Sequence, residues 1–527
     1  MSDSADNLIK KLHILNQIGI SLSAEKKTNA VLNQIIIGAQ KLTNADGSSI
    51  YLLKDNKLYF CLVHNTSLNI HIDDSQKLNE KFQPINLYDE NGQPNLRNVV
   101  TAAVNQNKTI NIADAYHESV YDFAGTKKFD TQLNYHSQSF LTIPMKNHLG
   151  HIVGVMQLIN AIDPDTGNVK VFSQMDQELI ESLASQGAIT LTKQELLDAQ
   201  KELFEAFIAL IAKAIDEKSI YTSNHCSRVP LIAMMIAEQA QKQSHGALKD
   251  FHLSDDEMEE LRIAAWLHDC GKVSTPEYVM DKSTKLETIM DGINWVNARF
   301  EIVRRDLYIN ELHALLKTNN IDIKKSNEYQ QKLDTLNQDH AFIQKTNIPG
   351  EVLSKDDQQR IKGIQGKYAW ENCEKITAPI LNDAEVENLS IARGSLNDKE
   401  RLVIQNHAAV TYKMLQSLPY PEHLKRIPEI ASSHHETLDG KGYPRGLHDK
   451  ELSIQARIIA IADVFEALTA CDRPYKKAKN LSETLGIMNN MQKNRHIDAD
   501  LYQLFIEKKL YLTYAKKYLN PEQIDIE

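Results

Sequence analysis

The sequence predicts an α+β chain: a mixed α/β domain over residues 1–192, a linking helix over 193–214 and an all-α domain over 215–527 with a long helical insertion at about 285–395. Three observations carry this. Short apolar runs separated by Asn, Asp and Gly turns are confined to the first third of the chain. Helical periodicity is nearly uninterrupted from Leu203 onwards. The interval between Lys272 and His407 far exceeds an ordinary connection and keeps its own helical period. A chain of 527 residues also exceeds what one core usually fills.

In order, Leu8 to Leu22 and Val31 to Leu42 carry apolar residues at three- and four-residue intervals, as an amphipathic helix pair does. Ser48 to Leu53, Lys57 to Val63 and Leu68 to Ile72 read as short strands, the first two joined by the Asp55-Asn56 turn. Asn86 to Asn95 is loop, Val99 to Asn105 a short helix and Thr109 to Ile112 a strand. Ser139 to Met145 and His151 to Ile159 form a strand pair, and Ser173 to Thr192 returns to helix. The helical part reads as Val229 to Gln241, Asp255 to Leu267, Lys399 to Leu415, Pro428 to His434, Ile454 to Ala470 and Leu481 to Met491, with no alternating strand between them. In the insertion, Lys285 to Leu316, Ser326 to Ile343 and Asp356 to Ile376 are helical candidates that fit a projecting helical hairpin, serving dimer contact, regulation or as a lid, or merely decorating the surface.

Composition narrows the function. A formal charge of −11 argues against binding a nucleic-acid polymer. The cysteines, Cys61, Cys226, Cys270, Cys373 and Cys471, lack paired spacing, as expected in a reducing compartment. The polar, acidic start lacks a signal pattern, and no apolar run reaches the roughly 18 residues of a spanning helix. A cytoplasmic protein without membrane insertion is expected. From Ile189 a seven-residue recurrence runs through Leu196, Leu203 and Leu210, a stripe that fits either a parallel homodimer or packing within one subunit.

The chemistry gathers in the helical domain. His434 and His435 are followed by Glu436, Asp439 and the turn residues Gly440, Gly442 and Pro444. His225 opens a helix, His268 and Asp269 close another at Gly271, His407 lies on a third and Asp463 sits in the apolar run Ile458 to Leu468. A buried carboxylate there is costly unless a donor or ion meets it. Any one of these histidines reads equally well as a core residue; five of them with two buried carboxylates read as sites for ions such as Fe, Mn or Zn.

The first domain resembles a GAF domain, a small-molecule sensing module. Gln157, Leu158, Ile159 and Asn160, followed by Phe172 and Asp176, are similar to the signature of cyclic-nucleotide-binding members. Ala161 and Gln177 depart from it, so the signature's Lys–Asp pair is missing. The resemblance implies an unknown small ligand, or a ligand-free scaffold for dimerisation.

His268-Asp269-x-Gly271-Lys272, the run from His434 to Pro444 containing Gly442-Tyr443-Pro444, and Ala462 to Thr469 with Arg473-Pro474-Tyr475 resemble the HD-GYP branch of the HD metal-dependent phosphohydrolases. The resemblance implies hydrolysis of cyclic di-GMP to linear pGpG, and sometimes on to GMP, under GAF control. It places one ion on His225, His268, Asp269 and Asp463, and a second on His407, His434 and His435 with Asp269 bridging. Some members hold a third ion through a Glu where this chain has Tyr221, so two ions, Fe or Mn, are expected. Such a pair, about 3.5 to 4 Å apart, holds a bridging hydroxide and neutralises the phosphodiester. Lys272 would face the scissile phosphate as well as supporting catalysis with Asp269, and Arg473 and Lys476 would face the second phosphate. Lys441 and Arg445 flank the loop and would assist in binding the substrate, and Tyr443 would touch substrate or a signalling protein. The alternatives are a catalytically quiet cyclic-dinucleotide receptor and a hydrolase of another cyclic dinucleotide or nucleotide.

Overall fold

The structure is a computed structural model that describes every residue except Met1, Lys26, 219–223, 318–322, Lys324, Lys325, Glu351, Cys373, 471–477 and Glu527, with 2–7 and Lys81 described by their backbone alone. It divides into two compact units, Met1–Phe204 and Glu205–Glu527.

The first unit begins with α1 (Ser2–Ala24) and α2 (Thr28–Thr43), then β1 (Ala45–Lys54), β2 (Lys57–Asn65), β3 (Ile70–Ile72), α3 (Ser75–Lys81), β4 (Ile85–Asn86), α4 (Val99–Asn105), β5 (Ile110–Ile112), α5 (Ala124–Leu133), β6 (Phe140–Lys146), β7 (Ile152–Ile162) and β8 (Val169–Lys170). The sheet is antiparallel in the order β3-β2-β1-β7-β6-β5, with β4 on β2 and β8 on β7. Both faces are covered, which the pleat makes possible by turning alternate residues to opposite sides. Ile50, Met156 and Leu158 join the core under α1, α2 and the start of α6 (Gln174–Lys218), while Tyr51 and Val155 join Val100, Ala103 and Phe123 on the other face.

Two helices here carry no apolar stripe and escape a periodicity search. α3 is fixed by its N-cap, Asp74 Oδ1 accepting from the backbone of Gln76 and Lys77 at 3.1 and 3.2 Å. α5 buries Asp130, whose carboxylate accepts from the Tyr116 hydroxyl at 2.9 Å and the Ser137 backbone at 2.8 Å. The predicted closing helix and linking helix are one element, α6. Asp176, left without its signature lysine in the sequence, pairs with Lys11 of α1 at 2.8 Å.

The second unit is built on α7 (His225–Gln241), α8 (Asp255–Leu267), a 3₁₀ turn (Cys270–Ser274) and α9 (Glu277–Met280). The inserted segment contains α10 (Ile293–Lys317), α11 (Asn327–Asn347), α12 (Lys355–Lys367), β9 (Ala369–Glu371), β10 (Thr377–Pro379) and α13 (Asp383–Leu389). The chain then returns through α14 (Asp398–Gln416), α15 (Ile427–Ser432), α16 (Ile454–Thr469), α17 (Leu481–Lys493), α18 (Ala499–Glu507) and α19 (Leu510–Tyr518). Capping boxes start α8 at Ser254 and α14 at Asn397, each with Glu at the third helical position. Phe465 of α16 packs edge-on against Phe505 and Tyr514, with ring centroids 5.0 and 5.7 Å apart. Among the described residues no helix is long and apolar enough to cross a membrane.

The inserted segment differs from the expected hairpin in two ways. Its first helix starts at Ile293 rather than near Lys285, because Glu287 and Asp291 close a turn braced by Asn347, and its last candidate ends at Lys367 and gives way to the β9–β10 hairpin. Leu286, Phe300, Leu336, Ile343, Ile361, Ile380 and Leu389 form a hydrophobic core of its own. At its base the almost wholly buried Lys282 ammonium lies 2.8 Å from both carboxylate oxygens of Glu400, which also caps α14.

Candidate metal centre

Five segments deliver the seven expected ligands to one buried place. His225 is the first residue of α7, His268 and Asp269 follow α8, His407 lies within α14, His434 and His435 follow α15, and Asp463 lies within α16. The turn after Asp269 is possible because Gly271 has no side chain: a Cβ there would stand 2.0 Å from the His407 carbonyl oxygen and 2.6 Å from the Thr411 nitrogen. Thr411 locks the approach, accepting from the Gly271 nitrogen at 2.9 Å and donating to the His268 carbonyl at 3.1 Å.

The tautomers follow from hydrogen bonding. A carbonyl oxygen only accepts, so each ring nitrogen facing one carries the proton and leaves the other nitrogen with a free lone pair. His268 Nδ1 donates to Ala265 at 2.8 Å, His407 Nδ1 to Ile404 at 2.5 Å and His434 Nδ1 to Ala431 at 2.7 Å. His225 Nδ1 donates instead to the Glu466 carboxylate at 2.5 Å. All four Nε2 atoms therefore point inward.

What they point at is Asp269. Its Oδ2 lies 3.4 Å from the Nε2 atoms of both His225 and His268, and Asp463 Oδ1 lies 3.2 and 3.8 Å from the same two nitrogens. Its Oδ1 lies 3.3 Å from His407 Nε2 and 3.8 Å from His434 Nε2. His225, His268 and Asp463 form one potential metal group, and His407, His434 and His435 another.

The donor set fits a pair of cations. Asp269 Oδ1 is buried with no hydrogen-bond partner, a costly state that an ion relieves. Donors sharing one ion at about 2.1 Å lie roughly 3.0 to 3.4 Å apart, close to the spacings seen here. Burial disfavours charge on His225, but Glu466, Asp269 and Asp463 outweigh it and hold its pKa well above the ordinary value. Burial raises the Asp269 pKa, and Lys272, His268 and His225 reverse this and hold it well below the usual carboxylate range. Burial pushes His435 down to about 3, partly opposed by Asp463.

The other expected residues are distributed differently. Lys272 Nζ lies 2.5 Å from Asp269 Oδ2, on the ligand itself. The Tyr443 ring lies over His435, centroids 4.8 Å apart, and its backbone donates to the His435 carbonyl at 3.2 Å. Lys441 is exposed and paired with Asp439 at 2.8 Å. Arg445 donates to Ser433, the residue before His434, at 2.6 Å, with its guanidinium over Tyr412. Arg473 and Lys476, together with Tyr221, lie outside the described residues.

Sequence reasoning missed Glu466, which is buried, three residues beyond Asp463 and also paired with Arg228 at 3.3 Å. A second carboxylate one helical turn along an apolar helix was the signal. Glu436 anchors the following loop, accepting from the Arg445 and Leu447 backbones at 2.7 and 2.9 Å.

A family model of the GAF domain matches residues 28–191, and two of the HD domain match 222–316 and 380–501. The chain carries a GAF domain followed by an HD domain. It is similar to a 3′3′-cGAMP-specific phosphodiesterase of Vibrio cholerae, 42% identical over 20% of this chain and 22% of that one. It is also similar to cyclic di-GMP phosphodiesterases of Pseudomonas aeruginosa, 34% identical over 22% of this chain and 26% of that one, and of Thermotoga maritima, 37% identical over 18% and 26%. The match thus spans about a quarter of each relative's length.

Proposed function

We propose that this HD domain is a metal-dependent phosphodiesterase that opens cyclic di-GMP to linear pGpG. One observation carries the reading: the two oxygens of Asp269 face separate sets of imidazoles, as a carboxylate shared by two ions requires. His225, His268, Asp463 and Asp269 Oδ2 would hold one ion; His407, His434, His435 and Asp269 Oδ1 would hold the other. When bound, such ions supply Lewis-acid charge for phosphate oxygens and lower the pKa of water. The chain's own part is to fix the imidazole tautomers, to bury the donors and to place the Lys272 ammonium beside them for the phosphate anion. Tyr443, against His435, is the residue positioned to meet the substrate, and Lys441, paired with Asp439, and Arg445, bonded to Ser433, flank the same loop.

A second substrate, 3′3′-cGAMP, is favoured by the specificity named for the Vibrio relative. The GAF domain is read as the regulatory input for an unidentified small ligand, passed along α6, which is unbroken from Gln174 to Lys218. The exposed residues Leu196, Leu203 and Leu210 support a homodimer through that helix.

The test is anaerobic purification, metal analysis and chromatography of products from cyclic di-GMP and 3′3′-cGAMP. About two Fe or Mn per chain, a linear product, and its loss in His268→Ala and Asp269→Ala support the reading. Turnover that survives both substitutions overturns the site, and product from 3′3′-cGAMP alone overturns the first substrate.

A further inference from the structure

The two halves of the centre are not built alike. His268, His407 and His434 are held by backbone carbonyls, which are neutral. His225 is held by the carboxylate of Glu466, 2.5 Å from its Nδ1, and the other oxygen of that carboxylate faces Arg228. A carboxylate behind an imidazole raises the basicity of the opposite nitrogen and pins the ring, whereas a carbonyl does so more weakly. The same half holds Asp463, a full carboxylate ligand, while the other offers three imidazoles and only its share of Asp269.

We propose that Glu466, acting through His225, makes the His225–His268–Asp463 half the tight site, which fills first, and leaves the His407–His434–His435 half as the weaker, exchangeable one. Glu466 is a positioning residue here, since it faces the ligand and not the ion. Its negative charge adds to that of Asp463, so the tight half favours a harder ion such as Mn²⁺, and the imidazole half one that imidazole suits. Arg228, 3.3 Å from the far oxygen of Glu466, holds that carboxylate in place against His225. This rests on the reading of these residues as metal ligands.

The test is a titration of the chelator-stripped full chain with Mn²⁺ alone, followed by electron paramagnetic resonance and calorimetry, without substrate. Wild type should bind in two steps whose dissociation constants differ at least about tenfold. Glu466→Gln keeps the shape and removes the charge, and should weaken the tighter step by about 10- to 100-fold while leaving the weaker step in place. Glu466→Asp should recover part of the loss. Should Glu466→Gln fail to fold, His407→Ala must keep the tight step and Asp463→Ala must lose it. One indistinguishable step in wild type, equal weakening of both steps by Glu466→Gln, or the reverse pattern in the ligand variants overturns the proposal. Absence of any Mn²⁺ binding overturns the metal reading with it.

Discussion

Lys272 Nζ stands 2.5 Å from Asp269 Oδ2, the same oxygen that faces His225 and His268. An ammonium and a metal ion thus address one lone-pair region, and the lysine offsets the carboxylate where no divalent charge does so. Lys272→Met should therefore destabilise the metal-stripped protein by about 3 kcal/mol, the scale of a buried carboxylate losing its partner. Loading with Mn²⁺ should recover most of that loss. Urea denaturation with and without Mn²⁺ checks this; an equal loss in both states would show that the pair contributes independently of the ion.

Gly271→Ala drives a methyl group toward the His407 carbonyl and the Thr411 nitrogen, both backbone atoms. Neither can rotate away, so the 3₁₀ turn must shift from α14. A loss of about 1–3 kcal/mol and of bound metal is expected together, read by thermal denaturation and metal analysis. Metal content unchanged at reduced stability would separate the turn from the centre.

Acid should unfold the metal-free protein from the histidine range, before the carboxylates titrate. Burial lowers His434 well below its usual value and His435 to about 3, so in the native state both stay neutral below pH 6.5 while the unfolded chain takes up protons. His435 then removes about 1.4 kcal/mol per pH unit as pH falls from about 6.5 toward 3, and His434 acts in the same direction below about 6.5. His225 runs the other way: its pKa is raised, so its contribution is complete below about 6.5 and is lost only as pH rises. Asp269 and Asp463, both depressed, add losses only below about pH 4. Urea midpoints at pH 7, 6 and 5 should fall steadily, and a flat profile contradicts the assignment.

Phe300 is fully buried in the inserted segment, its ring stacked on His340 with centroids 4.4 Å apart. Phe300→Ala should cost about 3–5 kcal/mol within that segment while the metal stoichiometry stays unchanged, because its core contains no ligand. Hydrogen exchange resolved by peptide separates the two effects. Faster exchange across α7 and α16 would instead show one cooperative unit.

The residues of the candidate metal centre were legible because together they are chemically conspicuous: adjacent histidines before a glycine-rich turn and Asp463 inside an apolar run are an unusual combination for a plain core. The strands around Ile50 and Met156 were legible through their turns. Other features lay beyond sequence patterning. α3 and α5 are held by one carboxylate each, Asp74 and Asp130, through the hydrogen bonds it accepts, and the Lys11–Asp176 pair joins residues 165 positions apart. β9 and β10 are three residues each, too short to show alternation. The roles of Lys272, Arg445 and Glu466 depend on which neighbour each side chain reaches, which spacing alone does not determine.

The inserted segment also divides the ligands in time. His225, His268 and Asp269 leave the ribosome before it, and His407, His434, His435 and Asp463 after it. Because the segment closes a core of its own, it can fold during translation while the earlier ligands still lack their partners. Neither half of the centre can be completed at that stage, since even the first needs Asp463. On the proposed ligand assignment, metal capture would wait until almost the whole chain has been synthesised, and a truncated product ending inside the segment would carry no finished site.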